Sequence, residues 1–285
     1  MIFILSFLLL LSVELIGVFG KGATRWINVF GFSLQPSELI KPIYVIFASW
    51  LFVSSIEKAG LPGISISAVV SLILIGLLVL QPDFGQASLI IATWSIIYFA
   101  SGAPVLLLII VAALAVAFGF YIFKSYSYVA DRITNFMSSE IDPLSQLGRA
   151  RSAIQEGGYL GVGLGEGKVK VHLPDAHTDF IIAVAAEEYG LILCFLIIGL
   201  IGFLVIRAFF LLSKEESFFI RLSGTGIAGL IGMQALINLG VTVRLIPAKG
   251  MTLPFISYGG SSLISVSILC GIPVSYTHLT LPTKA

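Results

Sequence analysis

Nothing restricts this chain as much as its uninterrupted apolar runs. A bilayer core is crossed by about 20 residues of helix. Eight runs approach that length, at residues 2–19, 37–55, 64–80, 87–101, 104–123, 191–212, 219–243 and 255–270. Only helices and closed barrels satisfy every backbone group in lipid, and barrel strands alternate rather than run on. Composition agrees: 11% of the 285 residues are charged, against about a quarter in a soluble domain. The fold class is therefore an all-α polytopic membrane protein with eight transmembrane helices and one large polar loop. Residues 2–19 read as a span and not a cleaved leader, because no basic leader precedes them and Glu14 interrupts them. A formal net charge of +1 leaves no footprint for nucleic acid. Cys194 and Cys270 lie inside apolar runs, so neither a disulfide nor a metal site is indicated.

The chain divides into five spans over 1–123, the loop 124–178, three spans over 179–272, and a tail, 273–285. Long loops are usually functional or disordered. This one carries aromatics and a glycine series from Gly157 to Gly167, which argues against disorder. No βαβ unit surrounds those glycines, so a dinucleotide fingerprint is the weaker reading. A turn lying close to a ligand or to another backbone is the stronger one. Residues 145–155 predict a short amphipathic helix with Leu147 and Ile154 on its apolar side. The apolar stretch from 180 to 212 is too long for one upright span and is interrupted by Glu187-Glu188-Tyr189-Gly190. Two readings stand: a helix beginning at Asp179, partly buried near one membrane face, with a true span from about Leu191, or a single long tilted helix.

Ionisable groups at membrane depth are costly and mark function. Glu38 and Lys41 are three apart on one helix face, so they form either a buried brace or a cation available to an anionic headgroup. Pro36 suits the first turn of that helix, and Pro42 is expected to kink it. Each span reverses the chain, and that count puts Arg25, Asp83, Asp179, Arg244 and Lys249 on one face, with Lys58, Lys214 and Arg221 on the other. With cations on both faces, the positive-inside rule does not settle orientation. Cations gathered around carboxylates at one face suit a phosphate-bearing lipid; helix-end side chains that snorkel would look the same. Thr178 and Asp179 precede an apolar helix, where either makes a good N-cap. A helix N-terminus lowers a carboxylate's pKa and burial raises it, so the basicity of Asp179 stays open at this level. His177 has no second ligand at metal spacing and reads as a hydrogen-bonding residue.

Several motifs together resemble one known family. They are Arg25-Trp26-Ile27; Gln35-Pro36-Ser37-Glu38-Leu39-Ile40-Lys41; Gln81-Pro82-Asp83-Phe84-Gly85; Leu173-Pro174-Asp175-Ala176-His177-Thr178-Asp179-Phe180; Ala186-Glu187-Glu188-Tyr189-Gly190; and the run from Ile246 through Lys249 and Ser257 to Ser262. In this order they resemble the SEDS family of shape, elongation, division and sporulation proteins, with Lys249 closer to its division branch. The resemblance implies a peptidoglycan glycosyltransferase that polymerises lipid II, with loop 124–178 outside the bacterial cytoplasmic membrane and the protein at the division septum. It makes Asp179 the loop aspartate, the catalytic general base. Arg25, Lys41, Arg244, Lys249, His177 and Ser257 become substrate-side residues, and Glu38, Asp83, Glu187 and Glu188 supporting ones. It implies Mg2+ or Mn2+, for which the sequence shows no ligand set, and as partners a class B penicillin-binding transpeptidase and other divisome proteins. The family has ten spans, so two are expected to be missing upstream. The tail departs from the family's ending, so 273–285 is expected to be non-native and His278 to carry no functional weight. Two rivals remain: a lipid II flippase, and a scaffold that activates the transpeptidase.

Overall fold

The computed structural model describes the chain apart from residues 21–22, 30, 58–61, 138–141, 248–249 and 280–285. Among the described residues five helices are long and apolar enough to cross a membrane: α2 (Pro36–Glu57), α3 (Gly63–Leu80), α5 (Val105–Ser125), α8 (Ile181–Leu212) and α9 (Phe218–Thr242). Three apolar helices are shorter by that measure: α1 (Ile2–Ile16), α4 (Phe84–Ala100) and α10 (Gly260–Leu279), apolar as far as Val274. The eight together match the eight apolar runs of the sequence. Two polar helices, α6 (Ser127–Met137) and α7 (Gln146–Gly157), lie between α5 and α8.

Contacts group the chain into two compact units, the first comprising residues 1–103, 205–233 and 259–285. Its centre is α2, which buries Ile40, Tyr44, Val45, Ala48 and Phe52. Some of its hydroxyls are bonded inside it: Tyr44 Oη and Ser71 Oγ are 2.6 Å apart, and Trp94 Nε1 donates to Ser67 Oγ at 3.1 Å. Trp94 stacks on Tyr98 at 5.0 Å, and Phe52 meets both rings edge-on. α2 continues as one helix through Pro42.

The first expected span is shorter than 2–19. After Ile16 the chain makes an antiparallel three-stranded sheet, β1 (Val18–Gly20), β2 (Ala23–Val29) and β3 (Phe32–Leu34). Val18 pairs with Trp26 and Ile27 with Leu34, with a bulge between Val18 and Phe19. Gly31 turns β2 into β3 at φ +84°, a conformation glycine adopts without strain.

The second unit comprises residues 104–204 and 234–258. α7 begins at Ser145, whose Oγ accepts from the Gly148 amide at 3.0 Å. Its small residues Ala150 and Ala153 bury against Leu173, Ala176, Phe180 and Ala183, with Leu147 and Ile154 packed alongside, as the amphipathic pattern predicted. α8 is not continuous. Gly190 breaks it at φ 81°, ψ 175°, so the interrupted reading holds, with its first helix starting at Ile181. The glycine series lies on this break as backbone against backbone. The Leu191 amide donates to Gly158 O at 2.9 Å and the Val162 amide to Glu187 O at 2.9 Å. A Cβ on Gly157 would stand 1.9 Å from Ala186 O. The last span begins at Gly260 and not at Phe255, because residues 253–258 are bonded into a loop.

Candidate active site

Asp179 is half-buried at the end of the polar loop, and the surrounding backbone is fixed from several sides. Asp175, in the left-handed region at φ 57°, offers its carbonyl to the amides of Thr178 and Asp179, each at 3.1 Å. Asn238 on α9, only 1% exposed, spends both amide hydrogens here, donating to Asp179 O at 2.8 Å and Met251 O at 2.6 Å. Phe180 takes the cap position of α8, its carbonyl accepting from Ala183 N at 2.9 Å. The carboxylate itself faces the second motif: a Cβ on Gly250 would lie 3.4 Å from Asp179 Oδ2.

The segment after Gly250 is tied to the same loop. Ser257 Oγ donates to Thr178 O and accepts from the Leu253 amide at 2.8 Å, and the Tyr258 amide donates to His177 O at 2.9 Å. Gln234 Nε2 donates to Thr252 O at 3.0 Å. Ser257 thus acts as a strut between two loops, while the His177 side chain is exposed. Arg244, at φ 59°, donates from Nη2 to Phe136 O of α6 at 2.9 Å. Lys249 lies outside the described residues, as do Lys58 and the side chain of His278.

Glu187 and Glu188 build the support for this loop. Glu187 is fully buried, and its two oxygens accept the Val169 and Lys170 amides at 2.7 and 2.8 Å. Glu188 accepts the Gly165 amide at 3.0 Å and pairs with Lys170 Nζ. A carboxylate meeting two backbone amides is a strong, charge-assisted contact that offers nothing to solvent.

In the first unit a polar network joins α2, the start of α4 and Arg25 of β2. Glu38 and Lys41 pair at 2.6 Å with side chains 4% and 1% exposed, and Gln86 Nε2 donates to Glu38 Oε1 at 2.6 Å. This is the geometry of a brace: Lys41, placed among the substrate contacts from sequence, is buried against Glu38. Asp83 is 2% exposed and accepts from Ser37 Oγ at 3.3 Å and from the Gln86 amide at 3.5 Å. Arg25 Nη1 stands 3.9 Å from Asp83 Oδ1, while Nε and Nη2 donate to the carbonyls of Gln81 and Pro82. Burial raises the Asp83 carboxyl above the usual carboxylate range, against the pull of Arg25.

A model of the cell cycle protein family FtsW/RodA/SpoVE matches residues 1–280. The chain belongs to that family. It is 40% identical over 266 residues to a probable peptidoglycan glycosyltransferase FtsW of Caulobacter vibrioides, covering 93% of this chain and 68% of that protein. A Bacillus subtilis protein of the same name is 37% identical over 291 residues, covering 95% and 72%. Among solved structures, a peptidoglycan synthase complex that coordinates polymerization and crosslinking superposes with TM-score 0.79 at 31% identity, over 95% of this chain and 78% of that one. The Thermus thermophilus rod shape determining protein RodA gives 0.68 at 28% identity, over 98% and 77%. This family member is accordingly an α-helical multi-pass membrane protein.

Gln234 and Asn238 were not singled out from sequence. Their signal was present: Gln234, Asn238 and Thr242 recur every four residues in an apolar helix, one polar stripe on one face. For a divalent cation, no group of three His, Cys, Asp or Glu converges among the described residues, so they form no resident metal cage.

Proposed function

We propose that this chain is a peptidoglycan glycosyltransferase polymerising lipid II at the outer face of the bacterial cytoplasmic membrane, with Asp179 as general base. The observation that carries the reading is the setting of Asp179: a half-buried carboxylate on a backbone fixed by Asp175 and Asn238, facing Gly250. The likeness to proteins named for this activity supports it.

A hydroxyl of one lipid-linked sugar attacks the anomeric carbon of another. As the new C–O bond forms, the hydroxyl proton passes to Asp179. The bond from the anomeric carbon to undecaprenyl pyrophosphate breaks, and the pyrophosphate leaves with the electron pair. A single displacement inverts the centre, α donor to β product. A positioned base of this kind contributes roughly 10²–10⁴-fold. Arg244, in the same unit as Asp179, and Lys249 are the proposed cations for the headgroup. If Mg2+ or Mn2+ takes part, one or two carboxylates of the chain together with substrate phosphates would hold it, and it would neutralise charge developing on the leaving pyrophosphate.

Likeness to FtsW and to the synthase complex supports action at the division septum beside a class B penicillin-binding transpeptidase and other divisome proteins. The test supplies lipid II to the purified protein in liposomes and reads polymer and lipid movement separately. Glycan product is expected. Lipid movement without polymer would instead make it a flippase, and partner binding with neither would make it a scaffold.

A further inference from the structure

Small residues on α9 decide how its neighbours approach within the first unit. A Cβ on Gly224 would stand 2.3 Å from Leu212 Cδ2, and one on Gly229 would stand 2.8 Å from Ile96 Cδ1, so α9 lies tight against the end of α8 and against α4. Between those contacts a groove of about 650 Å3 stays open. Ile96, Phe99 and Phe209 form its apolar walls, Ser95 and Thr225 add hydroxyls, and Arg221 supplies a cation.

Arg221 is half-buried, with its guanidinium carbon 5.0 Å from the centroid of the Phe218 ring. Among the described residues no carboxylate pairs with it, although Glu215 and Glu216 lie in the same connection. A guanidinium stacked on a ring keeps its N–H edges for an anion, and a phosphate accepts from two of them at once. Lys214 and Arg207 also stack, both on Phe210, so this end of the helices is basic beyond one residue. The occupant must satisfy an apolar trough and a basic end together. A free anion uses only the second, and a neutral acyl chain only the first. Basic pockets between membrane helices are known to take anionic headgroups.

We propose that the groove between α4, α8 and α9 binds an anionic phospholipid, its phosphate on Arg221 and an acyl chain between Ile96, Phe99 and Phe209. By the count of spans it opens at the membrane face where α4 connects to α5 and α8 to α9, so the lipid belongs to that leaflet. The site shares no residue with the polymerase reading and stands without it.

Native mass spectrometry of the purified chain in micelles doped with phosphatidylglycerol or phosphatidylcholine tests it. Phosphatidylglycerol adducts are expected to survive preferentially, and Arg221→Gln to weaken them about tenfold, the loss of one good ionic contact. Ser95→Trp, which fills the groove and leaves the charge, is expected to lose the lipid as well. Thermal unfolding in undoped micelles shows whether both variants fold. Equal retention of the two lipids, or unchanged retention by Arg221→Gln, overturns the site. Displacement by glycerol phosphate, which has no acyl chain, at concentrations equal to the lipid's also overturns it.

Discussion

Asn238 shows what one amide can do at membrane depth. Its two N–H groups join Asp179 O to Met251 O, so the aspartate and the motif facing it share one donor group. Asn238→Ala leaves both carbonyls without that donor and should cost about 1–3 kcal/mol of stability. Asn238→Asp keeps the shape but turns a carboxylate toward two carbonyls, and should unfold earlier than the alanine variant in a thermal melt. Asp83 makes a pH prediction. Its folded-state pKa is raised, chiefly by burial, so the folded chain holds the proton to higher pH than the unfolded chain does. The stability this group contributes is complete below the unfolded pKa and drains as pH rises through the folded one. Wild type should therefore lose stability relative to Asp83→Asn as pH climbs from the ordinary carboxylate range. A pH series of melts that moved the two proteins in parallel would remove Asp83 from the account. Residue identity alone did not reveal these roles. The spacing of Glu38 and Lys41 disclosed their pairing but not their burial, which depends on Gln86, 48 positions away from Glu38.

Among elements, the break in α8 carries the most consequence. Gly190 sits where only glycine is comfortable, and a Cβ there would stand 2.2 Å from Tyr159 O. Gly190→Ala should cost at least ~2 kcal/mol from backbone strain and the clash. Glu187→Ala strands two amides and should cost about 2–4 kcal/mol, with faster amide exchange confined at first to residues 167–172. Unchanged exchange there would mean the loop is held by something else. The interruption at 187–190 was legible because charge and glycine punctuate an apolar run. The β-sheet was not. Its strands are short, and Arg25 and Asn28, three apart around Trp26 and Ile27, break the alternation that marks a strand. The start of α10 was misplaced for a related reason: Phe255 and Ile256 extend the apolar run, while Ser257 and Tyr258 are bonded back to residues near 178.

For the whole molecule, the eight apolar helices were the most legible feature, since lipid leaves a chain few ways to satisfy its backbone. α5 illustrates this. Leu114 and Val116 are 64% and 74% exposed, and a helix apolar on every side belongs in lipid or inside protein. Leu114→Arg near its centre should cost ~2.5–3.5 kcal/mol of insertion, measurable as a lower membrane-integrated fraction. The proposed chemistry was legible only as far as Asp179; the groups that fix its backbone come from residues 175 and 238, far apart in sequence. The most direct measurement is the rate at which purified Asp179→Asn polymerises lipid II beside wild type in the same liposomes, with a melt of each. Near-equal melting is expected, with a rate lower by about 100-fold or more, the share of a lost general base. A folded Asp179→Asn that makes glycan within a few-fold of wild type would contradict that role.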